Sequence, residues 1–215
     1  MVSYDDAKTI CSKYDQSCHM INDEEWSTLA IWAMTRGVKV YGNNSSCKDF
    51  SDRLIVFTSD PTRTTRALTG SGRNANWLEP INLTTHTGKT DGVYDLNGNV
   101  AEWTSDLGTS TNYRFSINGN DTGASMPNSG PITSLITDKK LRRYGLPSTT
   151  GLSGLEIFSL DEFTRPSSGL SSNSSLEFSI RGGHLADGVR AGMWRIQHLI
   201  KDGHNYHGFR PVLKF

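Results

Sequence analysis

The chain has 215 residues, and its 22 basic and 22 acidic side chains cancel. That length fits one domain, spanning 1–215, able to bury roughly 70% of the surface its unfolded form exposes without disulfide or metal staples. Neutrality excludes the broad basic field that nucleic-acid binding needs for counterion release, and no apolar run reaches the ~18 residues of a membrane-spanning helix.

The first residues, Met1-Val2-Ser3-Tyr4-Asp5-Asp6, lack the basic and apolar regions of a secretory signal peptide. Cys11, Cys18 and Cys47 are odd in number and confined to the first quarter. A disulfide framework would use an even set spread over the fold, which favours reduced thiols over a Cys11–Cys18 bridge.

Ser3 followed by Asp6 forms a capping-box pattern, and Ala7, Ile10, Cys11 and Tyr14 follow at helical spacing. Asn22 with Glu25 marks a second start, with Trp26, Leu29, Ala30 and Ala33 on one face and Gly37 as the stop. Two amphipathic helices therefore open the protein and cover a sheet. Residues 38 to 92 are rich in Gly, Asn, Ser and Thr, with turns at Gly42-Asn43-Asn44 and Gly70-Ser71-Gly72 and apolar anchors at Trp77, Leu78 and Ile81.

Val93–Leu96 and Val100–Trp103 read as short strands joined by Asn97-Gly98, a type I′ hairpin signal. The carboxylates of Asp95 and Glu102 are expected to accept backbone N–H groups or arginines rather than to act in catalysis. Residues 104 to 177 look like an insertion, with a basic run at Lys139–Arg143 that reads as a solvated edge and a short element in Leu155–Phe163.

The C-terminal end is the most organised stretch. Ile180-Arg181-Gly182-Gly183 and Gly208-Phe209-Arg210-Pro211-Val212-Leu213 are strand-like and bracket 184–207, which holds His184, His198, His204 and His207 of the six histidines, plus Trp194 and Tyr206. Most of that interior has neither helical nor strand period. Irregular chain rich in aromatic and hydrogen-bonding groups, held in a rigid frame, is how binding loops are built. The competing reading is a set of ordinary surface residues on a C-terminal hairpin.

Gly92–Trp103, with its Asp-Leu-Asn-Gly-Asn-Val-Ala-Glu-Trp run, resembles the signature of the formylglycine-generating-enzyme branch of the C-type lectin fold. Arg181-Gly182-Gly183, Gly208-Phe209-Arg210 and the Asn22–Trp26 helix start resemble other motifs of that branch. Within it, the chain is most similar to the variable proteins of diversity-generating retroelements, a group that includes phage tropism determinants. Gly188, Ala191-Gly192, Pro211, Leu68–Gly72 and Tyr41–Asn44 share in the likeness.

The resemblance implies an α+β protein with two N-terminal helices around a small twisted antiparallel sheet with long loops, and a variable region at about 180–213. It also implies adenine-specific substitution of Asn-like codons, which yields His, Leu, Asp, Arg, Val, Ile, Tyr, Ser or Gly but never Met, Trp, Gln or Lys. By that rule His184, Leu185, Asp187, Arg190, His198, Leu199, Ile200, His204, Asn205, Tyr206 and His207 are the expected ligand-contacting positions, and Met193, Trp194, Gln197 and Lys201 are fixed scaffold or differently templated. The expected partner is a protein or glycan on another cell or virus surface, with the chain on a phage particle or bacterial surface. Relatives on phage tails imply a homo-oligomer.

Neither enzymatic activity nor a cofactor is expected. The branch's oxidase chemistry relies on a C-terminal cysteine pair, and no cysteine follows Cys47, so this chain would at most be an oxidase relative that has lost its thiolates. A calcium-dependent lectin is the other alternative, but Glu79-Pro80-Ile81-Asn82 is one residue off the lectin sugar motif. A metal site from His198, Asp202, His204 and His207 is not expected either, since sampling of histidine codons accounts for that cluster.

Overall fold

Both helices start on the capping boxes written in the sequence, as seen in the computed structural model of the chain, which describes residues 1–57, 73–74, 84–89, 91–109, 114–117, 120–125, 129–131, 162–164, 176–199 and 204–213. Helix α1 is Tyr4–Tyr14, with the Ser3 hydroxyl accepting from Asp6 N while the Asp6 carboxylate accepts from Ser3 N. Helix α2 is Asp23–Thr35; Asn22 Oδ1 accepts from Glu25 N at 2.7 Å and Glu25 Oε2 from Asn22 N at 3.0 Å. Each box satisfies two of the amides that a helix start leaves orphaned. At the far end Gly37 takes φ +67° and Val38 N donates to Ala33 O at 2.9 Å, closing α2 as a Schellman turn.

The buried stripe of α1 is Tyr4, Ala7 and Cys11, and it differs from the expected one. Ile10 and Tyr14 are 48% and 75% exposed. At 100° per residue, Ile10 points roughly 90° away from the middle of that row. Along α2, Trp26, Ala30 and Ala33 are fully buried and Leu29 is half-buried.

Twelve strands are described: β1 Cys18–Met20, β2 Ile55–Val56, β3 Arg73–Asn74, β4 Ala101–Thr109, β5 Arg114–Ile117, β6 Asn120–Ser125, β7 Ser129–Pro131, β8 Glu162–Thr164, β9 Leu176–Gly182, β10 Gly192–Leu199, β11 His207–Phe209 and β12 Pro211–Leu213. The protein is α+β. The main sheet runs β6-β5-β4-β9-β10-β8-β7, with β11 added to β4. It is mixed, not purely antiparallel as expected, because β11 pairs with β4 and β8 with β10 in parallel. Those parallel pairs join strands that are not sequence neighbours, so no hairpin dictates their direction. Strand β12 pairs with β1 as a separate antiparallel ribbon, Cys18 opposite Leu213, which returns the C-terminus to the N-terminal elements.

The expected hairpin over 93–103 is absent. Residues 93–100 form no strand, and Asp95, Gly98 and Asn99 take φ of 58°, 75° and 66°. Their backbone groups are satisfied by other loops instead: Gly98 N donates to Gly182 O at 3.0 Å, Asn99 N to Asn43 O at 2.6 Å and Asp95 N to Thr84 O at 3.0 Å. With these partners in place the turn has nothing to gain from pairing across itself. Gly42 sits so close to the Asn97 carbonyl that a Cβ would lie 1.6 Å from its oxygen, so only glycine fits.

The interior of 184–207 is also more regular than expected, since β10 occupies its middle. Met193, Trp194, Arg195 and Ile196 are all buried. A strand covered on both faces shows no alternation to read. Its register against β9 jumps between Gly192↔Gly182 and Ile196↔Arg181, a bulge that turns consecutive side chains inward.

Trp77, Leu78, Ile81, the Gly70-Ser71-Gly72 turn, Lys139–Arg143 and residues 155–161 lie outside the described residues. Among the described residues no helix is long and apolar enough to cross a membrane.

Around Trp103 the core includes Tyr4, Ala7, Cys11, Cys18, Met20, Phe178 and Ile180, with Val2 and Phe209 packed against it. The Tyr4 ring meets the Trp103 ring edge-on at 6.1 Å, and Trp103 Nε1 donates to Val2 O at 3.0 Å. Cys11, Cys18 and Cys47 are buried and not joined in disulfides, and burial beside Cys18 raises the Cys11 thiol to about 11. Trp103→Ala should cost about 3–5 kcal/mol, the range for emptying a large aromatic site. Chemical denaturation checks this, and a midpoint that barely moves would show that Trp103 is not a core anchor.

Candidate functional site

Two arginines hold the ends of the C-terminal segment. Arg210 makes a two-pronged contact to Glu102 of β4, Nη2 to Oε1 at 2.6 Å and Nε to Oε2 at 2.9 Å, and its Nη2 also donates to Tyr94 O at 2.8 Å. Burial pushes the Glu102 carboxyl up, and Arg210 opposes that shift. Arg181, fully buried, has Nε 3.7 Å from Asp23 Oδ1 and donates from Nη2 to Ser27 Oγ at 3.3 Å. Both pairs tie sheet to loop or helix in a dry interior, where removing one partner is expensive.

Between the two ends the chain folds around Asp187. Its Oδ2 accepts from His184 N at 2.8 Å, while Oδ1 lies 3.5 Å from His184 Nε2, 3.7 Å from Arg190 Nη2 and 3.8 Å from Arg195 Nη2. Gly188–Arg190 make one 3-10 turn, with Arg190 N donating to Asp187 O and Ala191 N to Gly188 O. Gly183, at φ +74°, stands where a Cβ would be 2.9 Å from Ala191 Cβ and 3.0 Å from Asp187 Oδ2. The small residues at Gly183 and Ala191 are therefore what allows the loop to close on its carboxylate.

Two of the expected contact residues are not on the surface. Asp187 is buried because its charge is spent on the loop's own amide and two guanidiniums. Leu185 is buried too, and its carbonyl accepts from Ser46 N at 2.8 Å. The codon rule says nothing of burial, so it could not separate these from outward neighbours. His198 and Leu199 lie on β10, opposite Ser179 and Phe178 of β9. Ile200 lies outside the described residues.

His184, His204, Tyr206 and His207 gather together. The His184 and Tyr206 rings stack at 4.9 Å with 19° between their planes, though they come from opposite ends of the segment. His204 lies 5.1 Å from Tyr206 and 5.4 Å from His207. The His207 ring in turn meets the Trp103 ring edge-on at 4.8 Å. His204, Asn205 and Arg190 are exposed, and His184, Tyr206 and His207 are half-buried. Met193 and Trp194 are fully buried beneath.

Support from outside the segment comes from the loop that follows Val40. Gly188 N donates to Asn44 O at 2.7 Å, and Ser46 N reaches Leu185 O. The likeness of Tyr41–Asn44 to variable proteins flagged this loop by motif only. Its contact with 185–188 is long-range and leaves no local pattern.

Burial lowers both His184 and His207, with neighbouring imidazoles adding to the effect. For His184, Arg195 and Arg190 also lower and Asp187 opposes; His207 falls to about 4. No group of three or more His, Cys, Asp or Glu placed to hold a metal ion occurs among the described residues. Chemically the surface offers aromatic rings, imidazoles and the exposed Arg190 guanidinium, a set suited to adaptable contact. Neither protein-family models nor curated proteins give a match to this chain.

A depressed histidine makes folding weaken on acidification. The unfolded chain takes up the proton near pH 6.5, the folded one only near 4, so stability from His207 is full above about 6.5 and is lost as pH falls toward 4. Denaturation midpoints should therefore fall between pH 7 and 5 more steeply for the parent than for His207→Phe. Equal slopes would contradict this environment for His207.

Proposed function

We propose that the chain is a target-recognition protein of the C-type lectin fold, in its formylglycine-generating-enzyme-like branch, whose C-terminal surface is varied by a diversity-generating retroelement. It binds a protein or glycan on another cell or virus surface and carries out no turnover. The observation that carries the reading is the stacking of His184 on Tyr206. Residues from both ends of the expected variable region meet on one side of the chain, with Arg190, His204 and Asn205 exposed, while Met193 and Trp194, which the codon rule excludes from variation, are buried.

The physical case is one of division of labour. The Arg181 and Arg210 pairs and the Asp187 loop fix the backbone, so ordering costs on binding are small. The side chains of His204 and Tyr206 on top take no part in that frame and can change without disturbing it, since surface substitutions usually stay within ~0.5 kcal/mol. The face can then be altered with little loss of fold.

A panel of cell-surface proteins and glycans should yield a ligand for the parent chain. The double change His204→Ala, Tyr206→Ala should weaken that binding about 100-fold or more, as loss of aromatic anchors does, and hardly alter the melting temperature. Unchanged affinity in the double variant, or a variant that no longer folds, would contradict the assignment.

A further inference from the structure

Two of the three cysteines meet in the core beneath the turn that joins α1 to β1. Cys11 is the last buried residue of the α1 stripe, and Cys18 is the first residue of β1. The Cys11 thiol lies within side-chain hydrogen-bond reach of the Cys18 thiol. Both belong to the cluster around Trp103, where they are 2% and 7% exposed. Cys47 lies elsewhere, in the loop after Val40. A count of cysteines favours thiols but cannot see that two of them touch.

Local structure brings the pair together. Six residues, 12–17, separate the two cysteines, and the last three of them make the connection between helix and strand. Cys18 N donates to Asp15 O at 2.9 Å, and Asp15 Oδ1 accepts from Ser17 N and Ser17 Oγ, each at 2.7 Å. The chain is thereby returned under the last turn of α1. Asp15, Gln16 and Ser17 are exposed, so local opening of this turn would bring Cys18 to solvent. A buried free cysteine often serves as a small apolar filler. Filling alone does not require two sulfurs in contact.

We propose that Cys11 and Cys18 form a disulfide when the folded chain meets a small disulfide oxidant, the class to which oxidised glutathione belongs. This stands independently of the target-recognition reading. The Cys18 thiolate, on the more exposed sulfur, attacks one sulfur of the oxidant and displaces its first thiol. Cys11 then gives up its proton and attacks Cys18 Sγ, displacing the second. Two electrons pass to the oxidant, and the two thiol protons end on its two reduced halves. Burial holds the Cys11 thiol at about 11, which suits that order, since a protonated thiol is a poor first nucleophile.

The bond would staple the end of α1 to β1. That strand pairs with β12, Met20 opposite Pro211, and Ile21 N donates to Arg210 O at 2.9 Å. The same staple therefore reaches the ribbon that receives the C-terminal segment. Closing the loop also removes freedom from the unfolded chain, which favours the folded one.

The test uses the full folded chain, reduced with dithiothreitol, freed of it and exposed to oxidised glutathione at neutral pH without denaturant. Remaining thiols are alkylated, and trypsin, which cuts after Lys13, parts the two cysteines. The expected product is a disulfide-linked pair of peptides carrying Cys11 and Cys18, with Cys47 alkylated. The melting temperature should rise by about 5 °C and fall back on reduction. Alkylation of both Cys11 and Cys18 would overturn the proposal. So would glutathione left on Cys18, a bridge that includes Cys47, or a Cys11–Cys18 bridge that brings no higher melting temperature. The parent chain suffices, so no variant's failure to fold can blur the result.

Discussion

The indole of Trp26 is the point on which the C-terminal half of the fold depends. Two guanidiniums lie over it, with Arg181 Cζ 6.0 Å and Arg210 Cζ 5.8 Å from the ring centroid. Its Nε1 donates to Met193 O at 2.7 Å, and Gly182 approaches so closely that a Cβ would stand 3.3 Å from the ring. One side chain of α2 thus touches the end of β9, the bulge of β10 and the arginine before β12. A cation over an indole face in a desolvated site is favourable by about 2 kcal/mol. Each cation also has its own anion, Asp23 for Arg181 and Glu102 for Arg210. The interior charges are therefore compensated in pairs, which is the condition for burying them at all.

On the proposed reading, that arrangement would let a changeable surface sit on an unchanging frame. Trp26, Arg181, Glu102 and Arg210 fix where the segment leaves and rejoins the sheet. Asp187 closes the loop between, and Asn44 ties it to the loop that carries Phe50. Apart from His184 Nε2, which lies 3.5 Å from Asp187 Oδ1, none of these contacts uses the rings of His184, His204 or Tyr206. The frame is satisfied before the face is chosen.

How much of this was legible in the sequence depended on whether the deciding contacts were local. The capping boxes at Ser3 and Asn22 and the stop at Gly37 are local, and all three formed. Asn97-Gly98 was misleading because the backbone partners of Gly98 and Asn99, Gly182 and Asn43, come from distant segments that no turn rule sees. Strand β10 escaped notice because covering both its faces erased the alternation that marks a strand. At the candidate site, the motifs pointed to 184–207, and the ring cluster of His184, His204, Tyr206 and His207 lies within it. Leu185 and Asp187 went astray since a permissive codon carries no information on which way a side chain points. Arg195, buried against the Asp187 loop, looked like any other arginine until the bulge in β10 turned it inward.

Reading the DNA around the coding region tests the central claim, that this surface is varied for recognition, most directly. The account predicts a near-repeat of the stretch encoding 180–213 beside a reverse-transcriptase gene, with mismatches confined to adenines of the repeat. Those mismatches should fall on codons for positions such as 184, 190, 204 and 206, and spare Met193 and Trp194. A locus with no such repeat, or with mismatches scattered without regard to adenine, would contradict it.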